Sequence, residues 1–247
     1  MSTLDARDED RGDRAQGRGS PREPGSDSDG PRSRGPGPNG PRERAPGLAI
    51  LAAGASSRLG RCKALDELAG TTPLAQLLAA GACFAGAPPL VVAGRDHDAI
   101  ARAAPAGAEV RFHARWAEGR TGTVAFAAAA RPGLDLCLAP VDVPLVPREV
   151  FEALRAAWLA GGSPARGFLA PWVGPENASD RPHRFGHPIL VGRELLAGLA
   201  ALPPDAPLSD LRDRASPLFG VEVATRAVLD DLDTPADLER LRGRSGS

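Results

Sequence analysis

Apolar residues in this chain fall into short runs, separated by stretches that carry helical spacing. The first run, Leu48 to Ala53, is uninterrupted and reads as a buried strand. Thr72 to Phe84 reads as a helix, with Pro73 in its first turn and Leu74, Leu77 and Leu78 on one face. Pro89–Ala93, Val110–His113 and Leu134–Val141 predict three further strands, with helices over Asp98–Ala104 and Gly119–Ala130 between them. Pro147 to Leu159 has Val150, Phe151, Leu154 and Trp158 at the spacing of one buried helical face. Farther on, strands are predicted at Phe168–Val173, Ile189–Val191 and Leu218–Val223. Helices are predicted at Arg193–Leu199, Leu208–Arg214 and Pro235–Arg242. Strands alternating with helices at this interval imply βαβ units: an α/β fold with a three-layer, mostly parallel, Rossmann-like sheet and helices on both faces. Ligands on such sheets gather at the carboxyl ends of the strands, so the loops after the first and fourth strands share one rim.

Residues 1–46 follow no such pattern. Gly, Pro, Ser, Arg and Asp dominate, nine arginines balance nine acids, and Met1 and Leu4 are the only large apolar side chains. Such a segment cannot bury enough surface to offset its ordering entropy, so it is expected to be a disordered tail preceding a domain over 47–243. An interaction role and no required role are both open for it. Net charge is −1, which gives no support for a nucleic-acid surface. No apolar run reaches the roughly 20 residues of a membrane span, and the N-terminus lacks the apolar core of a signal peptide. Three widely spaced cysteines, Cys62, Cys83 and Cys137, read as reduced thiols of a cytoplasmic protein.

The first strand leads into a loop of small residues, Ala52, Ala53, Gly54, Ala55, Ser56, Ser57 and Gly60, with two cations, Arg58 and Lys63. A strand ending in a Gly/Ser loop presents several main-chain N–H groups at one point, and a following helix would add its dipole: an anion site, most often for phosphate. Lys63 is the single lysine among 30 basic residues. Codon bias accounts for the arginines but not for the one lysine falling beside this loop, where a mobile point charge suits a phosphate. The spacing excludes Walker A, the dinucleotide G-x-G-x-x-G and the hydrolase elbow G-x-S-x-G.

Two acidic stretches stand out downstream. Pro140-Val141-Asp142-Val143-Pro144 sets one carboxylate at the end of a buried strand, as a helix cap or as a metal ligand. In Val228 to Leu238, Asp231 and Asp233 alternate across a turn, and Thr234-Pro235 marks a helix start. His183 and His187 lie four apart near Asp180, a weak metal signal in a loop.

The stretch LAAGASSRLGRCKAL resembles the A-A-G-x-S-x-R-x-G-x-x-K signature of the MobA/MocA-like nucleotidyltransferases, which include the molybdenum cofactor guanylyl- and cytidylyltransferases. PVDVPL, GHP and VLDDLDTPADL are similar to three later family segments, in the family's order. The resemblance implies a nucleotide-diphospho-sugar transferase-like fold. It implies transfer of a nucleoside monophosphate from an NTP to a phosphorylated small-molecule acceptor, molybdopterin cofactor among them, with release of pyrophosphate. Partners would be the NTP, the acceptor and a protein receiving the product, with no nucleic acid and no membrane. Catalysis would fall to Arg58, on the leaving pyrophosphate, Lys63, at the α-phosphate, and Asp142. The loop 52–57 with Gly60 would hold the nucleotide. Asp142 carries over as the Mg²⁺ ligand, with Asp231 or Asp233 as the second, since Mg²⁺ takes few carboxylates beside water and phosphate. His113 to Thr123 resembles the segment that lies against the nucleotide, with His113 in place of the usual Asn and Thr121 or Thr123 for its Ser. His187 falls on the acceptor side, as base or as structural residue. Ala52-Ala53-Gly54 resembles the cytidylyl branch and favours CTP. Two other readings fit: a nucleotide-binding module without catalysis, and transfer to a sugar phosphate or other metabolite.

Overall fold

The structure, a computed structural model, describes residues 45–56, 58–68, 70–175 and 184–244. The expected tail, Ser57 and the histidine loop with Asp180 and His183 lie outside the described residues.

Eight strands form one sheet in the order β3-β2-β1-β4-β7-β5-β6, with β8 paired to β5. They are β1 (Gly47–Ala52), β2 (Leu90–Ala93), β3 (Glu109–Phe112), β4 (Leu136–Pro140), β5 (Phe168–Val173), β6 (Arg184–Phe185), β7 (Ile189–Val191) and β8 (Leu218–Glu222). The α-helices are α1 (Pro73–Ala80), α2 (His97–Ala103), α3 (Arg120–Ala130), α4 (Arg148–Ala160), α5 (Arg193–Ala197), α6 (Ser209–Asp213) and α7 (Pro235–Arg244). Every predicted strand and helix is present, with ends shifted by a few residues. Two features depart from a purely parallel sheet. β7 pairs antiparallel with both β4 and β5, and the short β6, which has no sequence signal, pairs antiparallel with β5. β1 to β5 and β8 therefore run one way, and β6 and β7 the other.

Alternation along β1 sends its side chains to two cores, as the pleat requires. Leu48, Ile50 and Ala52 meet Leu74, Leu77, Phe151, Leu154 and Trp158 of α1 and α4. Ala49 joins Leu90, Val92, Val124, Ala127 and Leu195 on the other face. That is the expected three-layer arrangement. Asp135, just before β4, ties the layers together. Its 2% exposed carboxylate accepts from Trp158 Nε1 at 3.1 Å and from the Arg193 amide at 2.9 Å, and pairs with the Arg193 guanidinium at 3.2 Å.

β1 is flanked by β2 on one side and β4 on the other. The chain leaves β1 toward one half of the sheet and reaches β4 in the other. A crevice opens at the carboxyl ends of strands at such a switch point.

Candidate active site

That crevice is a cleft of about 270 Å³. Its walls are the β1 loop from Leu51 to Ser56, the 3₁₀ turn at Cys62–Ala64, Asp96, Trp116–Ala117, Gly119–Arg120, Thr123, and Pro140 to Asp142. Lys63 and Asp142, 79 positions apart in sequence, both line it.

The loop after β1 is more compact than its sequence implies. Ser56 adopts φ 49° and Gly60 φ 76°, and the Leu59 and Gly60 amides turn back to the Ser56 carbonyl at 3.1 and 3.0 Å. Ser56 Oγ accepts from the Lys63 amide at 3.4 Å. No α-helix follows directly: Lys63–Leu65 is one 3₁₀ turn, and α1 starts only at Pro73. The part of the loop that lines the cleft is therefore Gly54, Ala55 and Ser56, without a helix dipole behind it. Gly60 shapes the turn and does not line the cleft. Ala52 and Ala53 form the floor. Gly94 lets β2 end close against that floor: a Cβ there would fall 2.2 Å from the Ala53 carbonyl and 2.7 Å from the Trp116 ring.

The closing acidic motif docks beside the cleft, against Lys63 and Asp142, without lining it. The Leu232 amide donates to the Asp142 carbonyl at 2.6 Å, which joins the two acidic stretches. Between them stand opposite fates for Asp231 and Asp233. Asp233 is taken by the cations: Oδ1 is 2.9 Å from Lys63 Nζ and Oδ2 is 3.0 Å from the Arg58 guanidinium. Lys63 Nζ also donates to the Leu232 carbonyl at 2.8 Å. The Lys63 hydrogen bond holds the Asp233 carboxyl below the usual carboxylate range. Asp231 behaves oppositely. Crowding by neighbouring atoms, then the charges of Asp142 and Asp233, push its pKa up. Two carboxylates that repel each other are a place for a cation to go. The donor set suits a divalent ion that completes its shell with water and phosphate. Among the described residues no group of three or more His, Cys, Asp or Glu is placed to hold a metal.

The Asp-x-Asp motif is aimed by the start of α7. Asp237 Oδ2 accepts from the Thr234 hydroxyl at 2.8 Å and amide at 2.9 Å, and the Asp237 amide donates back to Thr234 Oγ1 at 3.2 Å. This reciprocal cap, with an Asp in the place of the usual Glu, drives the Asp237 carboxyl down to about 2, the Thr234 hydrogen bonds first and Arg240 second. Asp237 Oδ2 also accepts from the Asp233 amide at 3.2 Å.

Of the other expected contacts, Thr121 does not reach the cleft. It is buried, and its hydroxyl donates to the Ala206 carbonyl at 2.6 Å. Thr123, one helical step nearer, lines the cleft instead. Both facts follow from α3 beginning at Arg120, which sets Thr121 against the 204–206 segment. His113 is buried beside the Phe126 ring, 4.7 Å between centroids, and burial lowers its pKa. His187 lies outside the cleft, in a neighbouring cavity, with its pKa lowered by burial. Its amide donates to the Val228 carbonyl at 2.9 Å. Arg120 was missed from sequence. Its guanidinium sits 3.7 Å from Asp142 and lines both cavities. Its position at the first turn of a helix facing the rim was the available signal.

The profile of the MobA-like NTP transferase domain matches residues 48–218, a span that stops short of Asp231 and Asp233. The bifunctional protein GlmU of a Bradyrhizobium species is 34% identical over 155 residues, which are 60% of this chain and 33% of that protein. The chain thus spans about a third of the length of that curated relative. Rv0371c of Mycobacterium tuberculosis is 25% identical with a TM-score of 0.64, over 79% of this chain and 96% of that one. The same mycobacterial protein has been solved in complex with manganese, at 24% identity and a TM-score of 0.60, over 79% of this chain and 97% of that one. Molybdopterin-guanine dinucleotide biosynthesis protein A of Archaeoglobus fulgidus, at 17% identity, shares the fold, with a TM-score of 0.58 over 81% of this chain and 98% of that one. The fold, the cleft at the β1/β4 switch point and the matched profile agree: the chain belongs to the MobA-like NTP transferase family and carries an NTP-dependent nucleotidyltransferase domain.

Proposed function

We propose that residues 47–243 transfer a nucleoside monophosphate from an NTP, CTP by preference, to a phosphorylated small molecule. An acceptor phosphate oxygen attacks the α-phosphorus, the bond to the β-phosphate oxygen breaks, and pyrophosphate leaves. The observation that carries this reading is one cleft lined by both Lys63 and Asp142, with a main-chain loop as its floor. Catalysis of this type works by positioning and by neutralising charge. Gly54 to Ser56 hold the phosphates, Lys63 meets the α-phosphate, and Arg58, 70% exposed, reaches the departing pyrophosphate. Asp233 keeps these two cations in place until phosphate replaces it. Asp142 and Asp231 would hold Mg²⁺, which when bound offsets phosphate charge. The manganese complex of the mycobacterial protein supports a divalent ion here.

Ala53, a small residue in the cleft floor, supports the preference for CTP. Molybdopterin is the acceptor the family suggests, and the product would pass to a partner protein. The three unpaired thiols fit a cytoplasmic setting. Among the described residues no helix is long and apolar enough to cross a membrane. Pyrophosphate release with Mg²⁺, a panel of NTPs and a panel of acceptor phosphates tests the proposal. CTP should outpace GTP at least tenfold. GTP preference refutes the base assignment, and tight NTP binding without release on any acceptor favours a binding module.

A further inference from the structure

Residues 113–123 separate two cavities. Trp116, Ala117, Arg120 and Thr123 line the nucleotide cleft. His113, Arg115, Glu118 and Thr121 line another cavity, of about 300 Å³, whose far side is Leu199, Leu202 and Pro204. Among the described residues none lines both. Close packing holds this partition against the 204–206 segment. The Gly122 amide donates to the Pro204 carbonyl at 2.9 Å, and a Cβ at Gly119 would fall 2.3 Å from the same oxygen.

Nothing in nucleotidyl transfer uses this second cavity, yet its polar groups are incomplete. His113 is 7% exposed, and its Nε2 is buried with no hydrogen-bond partner among the described residues. Such an atom is costly to leave unmet. Burial keeps the ring neutral near pH 7. A hydroxyl would meet Nε2 in either tautomer, since it can donate or accept. The Thr121 hydroxyl gives its hydrogen to the Ala206 carbonyl at 2.6 Å, which leaves its oxygen as an acceptor. Arg115 stands at the rim, 72% exposed. Glu118 meets it at Nε, 2.7 Å away, and at Nη2. A guanidinium carries five N–H donors, so its outer edge remains for a second carboxylate. Between Arg115 and His113 the wall is hydrocarbon, from Ala125, Leu199, Leu202 and Pro204. The volume lies at the lower end of ligand cavities, roughly 300–1,000 Å³, which suits a molecule of one ring.

We propose that this cavity is an effector site for a small hydroxylated carboxylic acid with one apolar ring, and that its occupancy tightens NTP binding in the adjoining cleft. The carboxylate meets the outer edge of Arg115. The ring lies on Leu199, Leu202 and Pro204, and the hydroxyl gives His113 its missing partner. The site itself is independent of nucleotidyl transfer; only the coupling rests on that reading. The shared partition is what couples the two. A bound acid stabilises residues 113–123 in the arrangement that shapes the cleft, and a ligand that favours this arrangement favours NTP. Linkage requires the reverse as well: NTP tightens the acid by the same factor.

Titration calorimetry on the full chain tests this, with 4-hydroxybenzoate, benzoate and 4-hydroxybenzamide as probes. 4-Hydroxybenzoate should bind about tenfold tighter than benzoate, which leaves the imidazole unmet. It should bind about threefold tighter than the amide, which offers Arg115 no charge. With CTP and Mg²⁺ saturating, its Kd should fall at least threefold, and it should tighten CTP by the same factor. His113→Phe keeps a ring against Phe126 and should erase the margin over benzoate, while Arg115→Ala should erase the margin over the amide. A thermal melt checks that each variant folds; if His113→Phe does not, Arg115→Ala and the wild-type probe order decide. Absence of saturable binding, equal affinity for 4-hydroxybenzoate and benzoate, or a margin that survives in the folded variant overturns the site. A Kd for 4-hydroxybenzoate that CTP leaves unchanged overturns the coupling. The outcomes separate from the parent reading: failure of the wild type to bind any NTP with metal sinks nucleotidyl transfer, whereas NTP binding with the wrong probe order sinks only the effector site.

Discussion

Replacing Asp233 by Asn keeps its shape and removes its charge, and so separates a cation clamp from a metal ligand. Its Oδ1 lies 2.9 Å from Lys63 Nζ. At an effective dielectric of 20 the bare Coulomb energy at that distance is about 6 kcal/mol. Desolvation and exposure, 13% for Lys63 and 32% for Asp233, leave a net worth of roughly 1–2 kcal/mol. The Arg58 arm is 70% exposed and adds little to stability. Asp233→Asn should therefore lower Tm at pH 7 by roughly 3–8 °C in a domain of this size. Because the folded carboxyl titrates below its ordinary 3.8, this stabilisation is complete above that value and fades as pH falls through the lower, folded pKa. The two proteins should thus converge in acid. Metal affinity, followed by Mn²⁺ titration, should change by less than about threefold. An unchanged Tm together with a tenfold or larger loss of metal affinity would make Asp233 a metal ligand and refute the clamp.

Three further outcomes follow from the geometry. Asp135→Ala strands the buried Trp158 N–H and the Arg193 amide, and should cost roughly 3–5 kcal/mol in chemical denaturation; a wild-type midpoint would show the network to be dispensable. Gly94→Ala would put a methyl group 2.2 Å from the Ala53 carbonyl and 2.7 Å from the Trp116 ring, and should raise the KM for NTP about tenfold or more, whereas unaltered kinetics in a folded variant would show that the floor packed against Gly94 does not meet the nucleotide. Asp237→Ala removes the reciprocal cap, at a cost of about 1–2 kcal/mol. With the wild-type carboxyl near 2 against 3.8 unfolded, that difference should shrink between those two pH values, and a constant difference down to pH 2 would deny the shift.

The parts of the site that were legible in sequence are those coded locally. The apolar run before Gly54, the lone lysine after it, and an acid framed by prolines at the end of β4 each carry their own signal. The parallel sheet and both helical layers follow from period alone. What sequence left open depends on long-range contacts. Asp231 and Asp233 are equivalent on paper. The Leu232–Asp142 hydrogen bond joins the motif to the end of β4, where one carboxylate pairs with the cations and the other feels the charge of Asp142. The direction of β7 was equally hidden, because three apolar residues read the same either way along the sheet. Thr121 and Thr123 sit two apart on one helix, and the packing of 204–206 decides which faces away from the cleft. Whether a helix directly follows the loop was also open, and GRCKAL, with neither a side-chain cap nor an apolar stripe, closes as a single 3₁₀ turn.

Pyrophosphate release by Lys63→Ala, with CTP and Mg²⁺ saturating, reaches the central claim most directly. On the proposed mechanism the variant loses the cation that meets the α-phosphate, where stabilisation of the transition state is concentrated. Turnover should drop on the order of 10²-fold or more while the melting curve shows a folded protein. A folded variant that releases pyrophosphate at the wild-type rate would contradict the account.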